Sequence, residues 1–275
     1  MASDLRFIIM AMKFLVTIKF MMSRIMPKSV PYVTQRIIKL SLLHGMSPVS
    51  PIGFVYHGSS IAKLGDITEG YHYVKLGFSL IDKVGSRESA GEAFAIGTHV
   101  RAYVEPLQAT IAYYDDGYAA AMTSGDTNIA SLNRLCFCSG SFFAGVNLQI
   151  LRKKYDETQM MMAERKQTIF LIYAIQFQRS VFKLIGVEEQ PKYVSEEQIL
   201  LATNNSVLVS NHFHEAYNSF MFRSYDDTKE CAEKYFACRG NSRANLLFAE
   251  AASSFYAGLM SFWIARKSRE EDRKS

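Results

Sequence analysis

Only six prolines interrupt the 275 residues, at positions 27, 31, 48, 51, 106 and 191. A proline inside a helix removes a backbone donor and clashes with the preceding turn, so the Pro-free stretches 52–105, 107–190 and 192–275 leave room for long helices. Within them apolar residues recur at three- and four-residue steps far more than at two, the helical period. Helices are predicted over 5–22, 30–44, 52–64, 66–84, 90–104, 108–124, 126–139, 145–162, 165–185, 208–223, 226–239 and 244–265. In the last of these, Leu247, Ala251, Phe255, Leu259 and Phe262 fall on one stripe, the pattern of a helix laid on a core. An apolar share of 49% is enough for such a core and excludes a disordered, collagen-like or disulfide-dense chain.

The breaks agree with this partition. Pro27 and Pro31 separate the first helix from the second, and His44-Gly45 with Ser47-Pro48 ends the second. Gly65-Asp66 and Gly125-Asp126 each set a C-cap glycine beside an N-cap acid, which folds one helix back on the next. Such short connections imply antiparallel helical hairpins. Gly58 and Gly70 flank the first turn, Tyr118 and Ala130 the second, and Ala216 and Thr228 flank Ser224-Tyr225-Asp226. These partners stand twelve apart each time, and most are small enough to let helices approach. The three turns are spaced by 60 and then 98 residues, so the repeat has no fixed period. The polar stretch Glu188–Glu197 marks an internal boundary. It divides an N-terminal array (1–186), a linker (187–200), C-terminal helices (201–266) and a charged tail (267–275).

Charge is unevenly spread. Residues 1–65 carry eight Lys/Arg and one acid, Asp4, whereas the remainder holds 23 basic and 25 acidic groups. The preferred reading is a basic flank on the first helices; an organelle presequence or contact with an anionic lipid surface is the alternative. Phe7–Met22 is interrupted by Lys13 and Lys19, and Thr168–Gly186 contains Gln176, Gln178 and Arg179, so both read as buried helices rather than spans. Cys136 and Cys138 lie on a predicted helix and diverge by about 200°, a poor joint ligand pair. With Cys231 and Cys238 they are expected to be free thiols in a reducing compartment.

Gly125-Asp126-x-x-x-Ala130 and Tyr225-Asp226-Asp227-Thr228 resemble the turn of tetratricopeptide (TPR) repeats. The tryptophan of the strong repeat is absent, and Tyr118 stands where a glycine is usual. A longer series runs from His44-Gly45-Met46-Ser47-Pro48 through Ile52-Gly53-Phe54, Gly70-Tyr71 and Leu76-Gly77. It continues through Gly125-Asp126, Gly145-x-x-Leu148 and Leu184-Ile185-Gly186 to Phe255-Tyr256-Ala257-Gly258-Leu259. This order is similar to the helical region of large multidomain signalling proteins. In that family a protein kinase-like domain and a STAND AAA-type ATPase precede the region, and sensor histidine-kinase domains follow it. The resemblance covers about residues 5–266. It implies an all-α, TPR-like α-solenoid of antiparallel helical hairpins, acting in regulated assembly or signal relay as a fragment or stand-alone relative. In that family catalysis belongs to the neighbouring domains.

This sequence has no G-x-x-x-x-G-K-[ST] phosphate cradle and no kinase H-R-D or D-F-G. Asp226-Asp227-x-x-Glu230 matches the Mg²⁺-binding pattern of all-α prenyl-transfer enzymes, but acids at a helix start stabilise its dipole without any metal. Asp115-Asp116 lacks a third acid at that spacing. His212 and His214, two apart on a helix, point away from each other. Met160-Met161-Met162 reads as a helix end packed on its neighbour.

No catalytic residue, metal site or cofactor is therefore expected. The expected repeat-turn and packing residues are Gly65, Asp66, Gly70, Gly125, Asp126, Ala130, Gly145, Ala216, Tyr225 and Thr228. Tyr113, Tyr114, Tyr118 and Phe137 are the candidates to line a groove for a partner, with core packing the default for most of them. The partners expected are proteins or adjacent domains in the cytoplasm, with neither nucleic acid nor a membrane. A membrane- or organelle-associated module using the basic N-terminus is the alternative, and a Mg²⁺-dependent prenyl-transfer enzyme a distant third.

Overall fold

The computed structural model describes residues 2–188, 192–193, 205–240 and 247–272. These residues form twelve α-helices and no strand. In chain order they are α1 (Ala2–Ile25), α2 (Val30–His44), α3 (Ser50–Lys63), α4 (Ile67–Val84), α5 (Arg87–Arg101) and α6 (Leu107–Ser124). There follow α7 (Thr127–Phe143), α8 (Leu148–Glu164), α9 (Thr168–Ile185), α10 (Asn205–Met221), α11 (Tyr225–Arg239) and α12 (Leu247–Asp272). Each corresponds to one predicted segment.

The helix ends are built from the chain's own punctuation. Asp66, Asp126 and Asn147 turn a side-chain oxygen back to accept from the amides of Glu69, Ile129 and Gln149, satisfying donors that a helix start leaves free. At the other end one device recurs. The amides of Ser86, Asp126 and Gln167 bond back to the carbonyls of Ile81, Ala121 and Met162, each after a residue in left-handed backbone. Those residues are Gly85, Gly125 and Lys166. Helices α4, α6 and α8 start at 67, 107 and 148, and their successors α5, α7 and α9 at 87, 127 and 168. The same bond also closes α7, α9 and α10, from the amides of Val146, Val187 and Ser224 to the carbonyls of Ser141, Phe182 and Ser219, so the cap belongs to helix ends in general.

Contacts divide the chain into two compact units, Met1–Phe137 and Cys138–Ser275, with the division inside α7. In the first unit α3 lies along α4 and α5 along α6, and α3 also touches α5. Glycines set the approach. A Cβ on Gly70 would lie 2.6 Å from the Gly58 carbonyl oxygen, and one on Gly77 2.6 Å from the Val55 side chain. The pairing of early with late residues makes α3 and α4 antiparallel. Met12, Ile37, Val49, Ile52, Val55, Ile81 and Ala93 form the core they close over.

In the second unit α8 lies along α9, and α10 along α11. Its core is aromatic: Phe142, Phe177, Phe213, His214 and Tyr217 meet edge to face or tilted at ring separations of 4.3–6.4 Å. The polar stretch 187–200 falls within the second unit. Helices on either side of it pack together, with Gln176 Nε2 donating to the Val207 carbonyl at 3.2 Å. Polar composition reports local solvation, whereas a unit is defined by non-local contacts. Most of 187–200 lies outside the described residues, and the expected tail is helical as far as Asp272.

Two amphipathic readings are also corrected. On α12 the predicted stripe faces solvent: Phe255 is 63% and Phe262 71% exposed, while Ala257 and Met260 are buried. On α1, Met12 and Lys19 are buried, but Phe7, Met10, Phe14, Met21 and Ile25 are 59–74% exposed. Both helices are apolar on more than one face, so periodicity alone does not select the buried one.

Candidate functional site

The expected groove residues separate into different environments. Tyr113 and Tyr118 lie five positions apart on α6, about 140° around the helix. Tyr113 meets α5: its hydroxyl accepts from Arg101, whose guanidinium lies 4.1 Å from the ring centroid. Arg101 also pairs with Glu105 at 2.7 Å, and Glu105 accepts from the Tyr71 hydroxyl at 2.9 Å. Tyr118 meets α7: Arg134 lies 3.8 Å from its ring centroid, pairs with Asp115 at 2.7 Å, and is 5.8 Å from Phe137. Tyr114 is 2% exposed and bonds His99 Nδ1 at 3.2 Å, so it belongs to the interior. Tyr113, Tyr118 and Phe137 thus belong to two half-buried arginine–aromatic clusters, and Tyr114 to the core.

The repeat-turn residues sit at turns or helix contacts. Gly65, Gly125 and Gly145 have positive φ, and Asp66 and Asp126 are helix caps. Gly70 meets the α3 backbone, while Ala130 and Ala216 are fully buried. Thr228 is buried and bonds the Ser224 carbonyl at 2.6 Å; the Tyr225 hydroxyl meets Ser268 Oγ at 2.9 Å.

A polar cluster that sequence reasoning did not find lies between α1, α3 and α5. Lys19, with no exposed surface, pairs with Glu92 at 2.8 Å, and its ammonium stands 3.8 Å from the Tyr56 ring centroid. Tyr56 donates to the same carboxylate at 2.6 Å. Burial pushes the Lys19 pKa down, opposed by Glu92, and pushes the Tyr56 hydroxyl up. Lys13 bridges Glu88 at 2.7 Å one helical face away. A cavity of about 460 Å³ opens beside these pairs, lined in part by Lys13, Thr17, Glu88, Ser89, Glu92 and Asp126. The partner of Lys19 is 73 residues away in the chain, which no local pattern reveals.

The remaining chemical groups are internal. Ser180 Oγ is 2.9 Å from His214 Nδ1, a distance suited to nucleophile and base, yet Ser180 is fully buried and His214 is 4% exposed within the aromatic core. Burial lowers the His214 pKa to about 3 and that of His99 to about 4. His212 pairs with Glu215 at 3.1 Å, apart from His214. Asp227 accepts from Ser224 at 2.6 Å and Glu230 bridges Lys234 at 2.6 Å, so the acidic pattern is engaged locally. Cys136 approaches His99 and Cys138 approaches Thr158, each at 3.6 Å. No group of three His, Cys, Asp or Glu side chains among the described residues is placed to hold a metal. No protein-family model matches this chain, and no curated protein is significantly similar to it.

Proposed function

We propose that the chain is a non-catalytic helical-repeat scaffold, a TPR-like α-solenoid that binds a protein partner or couples neighbouring domains in ATPase- or kinase-linked signalling. The observation that supports this reading is the succession of helices packed along their chain neighbours, α3 with α4, α5 with α6, α8 with α9 and α10 with α11. Repetition of one supersecondary unit builds extended surface rather than a single pocket. The accessible part of the Arg101–Tyr113 and Arg134–Tyr118 clusters is chemically suited to protein contact, since arginine and tyrosine dominate interface energetics. The charged and nucleophilic pairs that would argue for catalysis are either buried or engaged with one another.

Sequencing the full-length transcript around this reading frame tests the coupling role. An in-frame ATPase- or kinase-like region upstream, or a sensor domain downstream, is the expected result. A message confined to Met1–Ser275 would overturn domain coupling and leave partner binding to be tested with Tyr118→Ala and Arg134→Glu. Both variants remove a half-buried contact, so partner loss counts only in a variant whose melting curve shows that it is still folded at the assay temperature.

A further inference from the structure

Helix α1 is held to its unit by one face and leaves another uncovered. The held face carries Met12, which is 1% exposed, and Lys19 in its pair with Glu92. The uncovered face carries Phe7, Met10, Phe14, Met21 and Ile25, each more than half exposed. From Phe7 to Ile25 the stripe runs about 27 Å along the helix. At about 200 Å² for each fully exposed side chain it presents on the order of 600 Å² of apolar surface, the upper end for a monomer's largest patch.

We propose that α1 lays this face on an anionic lipid bilayer, parallel to the surface. The charge around the stripe selects this occupant. Exposed Arg6 precedes Phe7 and exposed Lys28 follows Ile25, and Arg36 and Lys39 on α2 are exposed as well. Lys13 and Lys19 are taken up by Glu88 and Glu92, so the cations offered to headgroups are Arg6, Lys28, Arg36 and Lys39. The acyl boundary takes Phe, Met and Ile, while anionic headgroups take cations without requiring any acid in return. The uncovered stripe on α12 lacks this bias: Phe255, Leu259 and Phe262 are followed by Arg266, Lys267, Arg269, Glu270, Glu271 and Asp272, a mixed run. The ion pairs Lys19–Glu92 and Lys13–Glu88 keep α1 on the protein, so it lies on the bilayer and does not cross it.

The test is co-sedimentation of the full chain with phosphatidylcholine vesicles, with and without about 30 mol % phosphatidylglycerol. Anionic vesicles should bind about tenfold more protein, and about 0.5 M salt should remove most of that gain. Phe7→Ser with Phe14→Ser, and separately Arg6→Glu with Lys28→Glu, should each reduce binding about tenfold. Melting curves matching the parent would show that these surface variants remain folded. Equal binding to neutral and anionic vesicles, or none to either, overturns the proposal. So does a concentration-dependent dimer that the Phe7/Phe14 variant abolishes while lipid binding persists, because a second copy would then own the face.

Discussion

Lys166 and Arg223 hold left-handed backbone, with φ of 56° and 60°, in caps where α4, α6, α7 and α9 place glycine. A side chain there crowds the following carbonyl at a cost of about 1–2 kcal/mol. Lys166→Gly should therefore raise stability by about 0.5–1 kcal/mol after the added freedom of the unfolded chain is counted, read as a melting temperature about 1–3 °C higher. Gly125→Ala, at the same cap position after α6, should move it the other way by about 1 kcal/mol. The same lysine hides its turn in the letters, because it keeps the backbone angle without the glycine that advertises it.

At the scale of the element, the chain's helices were legible because apolar period, Gly–Asp turns and proline placement all point the same way. Which face each helix buries was less so. Lys19 interrupts an apolar run and reads as a surface charge until Glu92 and Tyr56 are brought to it from two other helices. Lys19→Ala should cost about 3 kcal/mol by leaving the largely buried Glu92 with Tyr56 but without its cation. Combining Lys19→Met with Glu92→Leu and Tyr56→Phe should restore most of that loss; urea unfolding of the single and triple variants compares them directly. Small residues at helix contacts were readable as spacing, and their reason is steric. Gly70→Ala would press a methyl against the α3 backbone and should cost about 1–3 kcal/mol. Ala130→Leu should cost a similar amount, and melting of either variant like the parent would remove that contact from the packing account. The groove residues were not legible as a set, because five positions on one helix carry Tyr113 and Tyr118 to different neighbours.

Across the whole molecule each compact unit buries one neutral imidazole, His99 in the first and His214 in the second. Both pKa values lie below the ordinary value of 6.5, at about 4 and about 3, because burial penalises the charged ring. The unfolded chain takes up protons below pH 6.5 that the folded chain refuses, so stability present above 6.5 is lost as pH falls toward those values. Each imidazole should remove about 2 kcal/mol by pH 5, visible as a lower urea midpoint than at pH 7. His214→Gln should reduce that pH dependence by about half, and an unchanged midpoint between pH 7 and 5 would contradict neutral burial.

The capped turns have a consequence for how such a chain changes length. Removing Arg87–Asp126 would join Ser86 to Thr127 at a turn that already carries such a cap, yet it would take Glu92 from Lys19 and leave a buried ammonium without its carboxylate. What fixes the removable length is the pairs that tie helices far apart in the chain, and not the joints between neighbours.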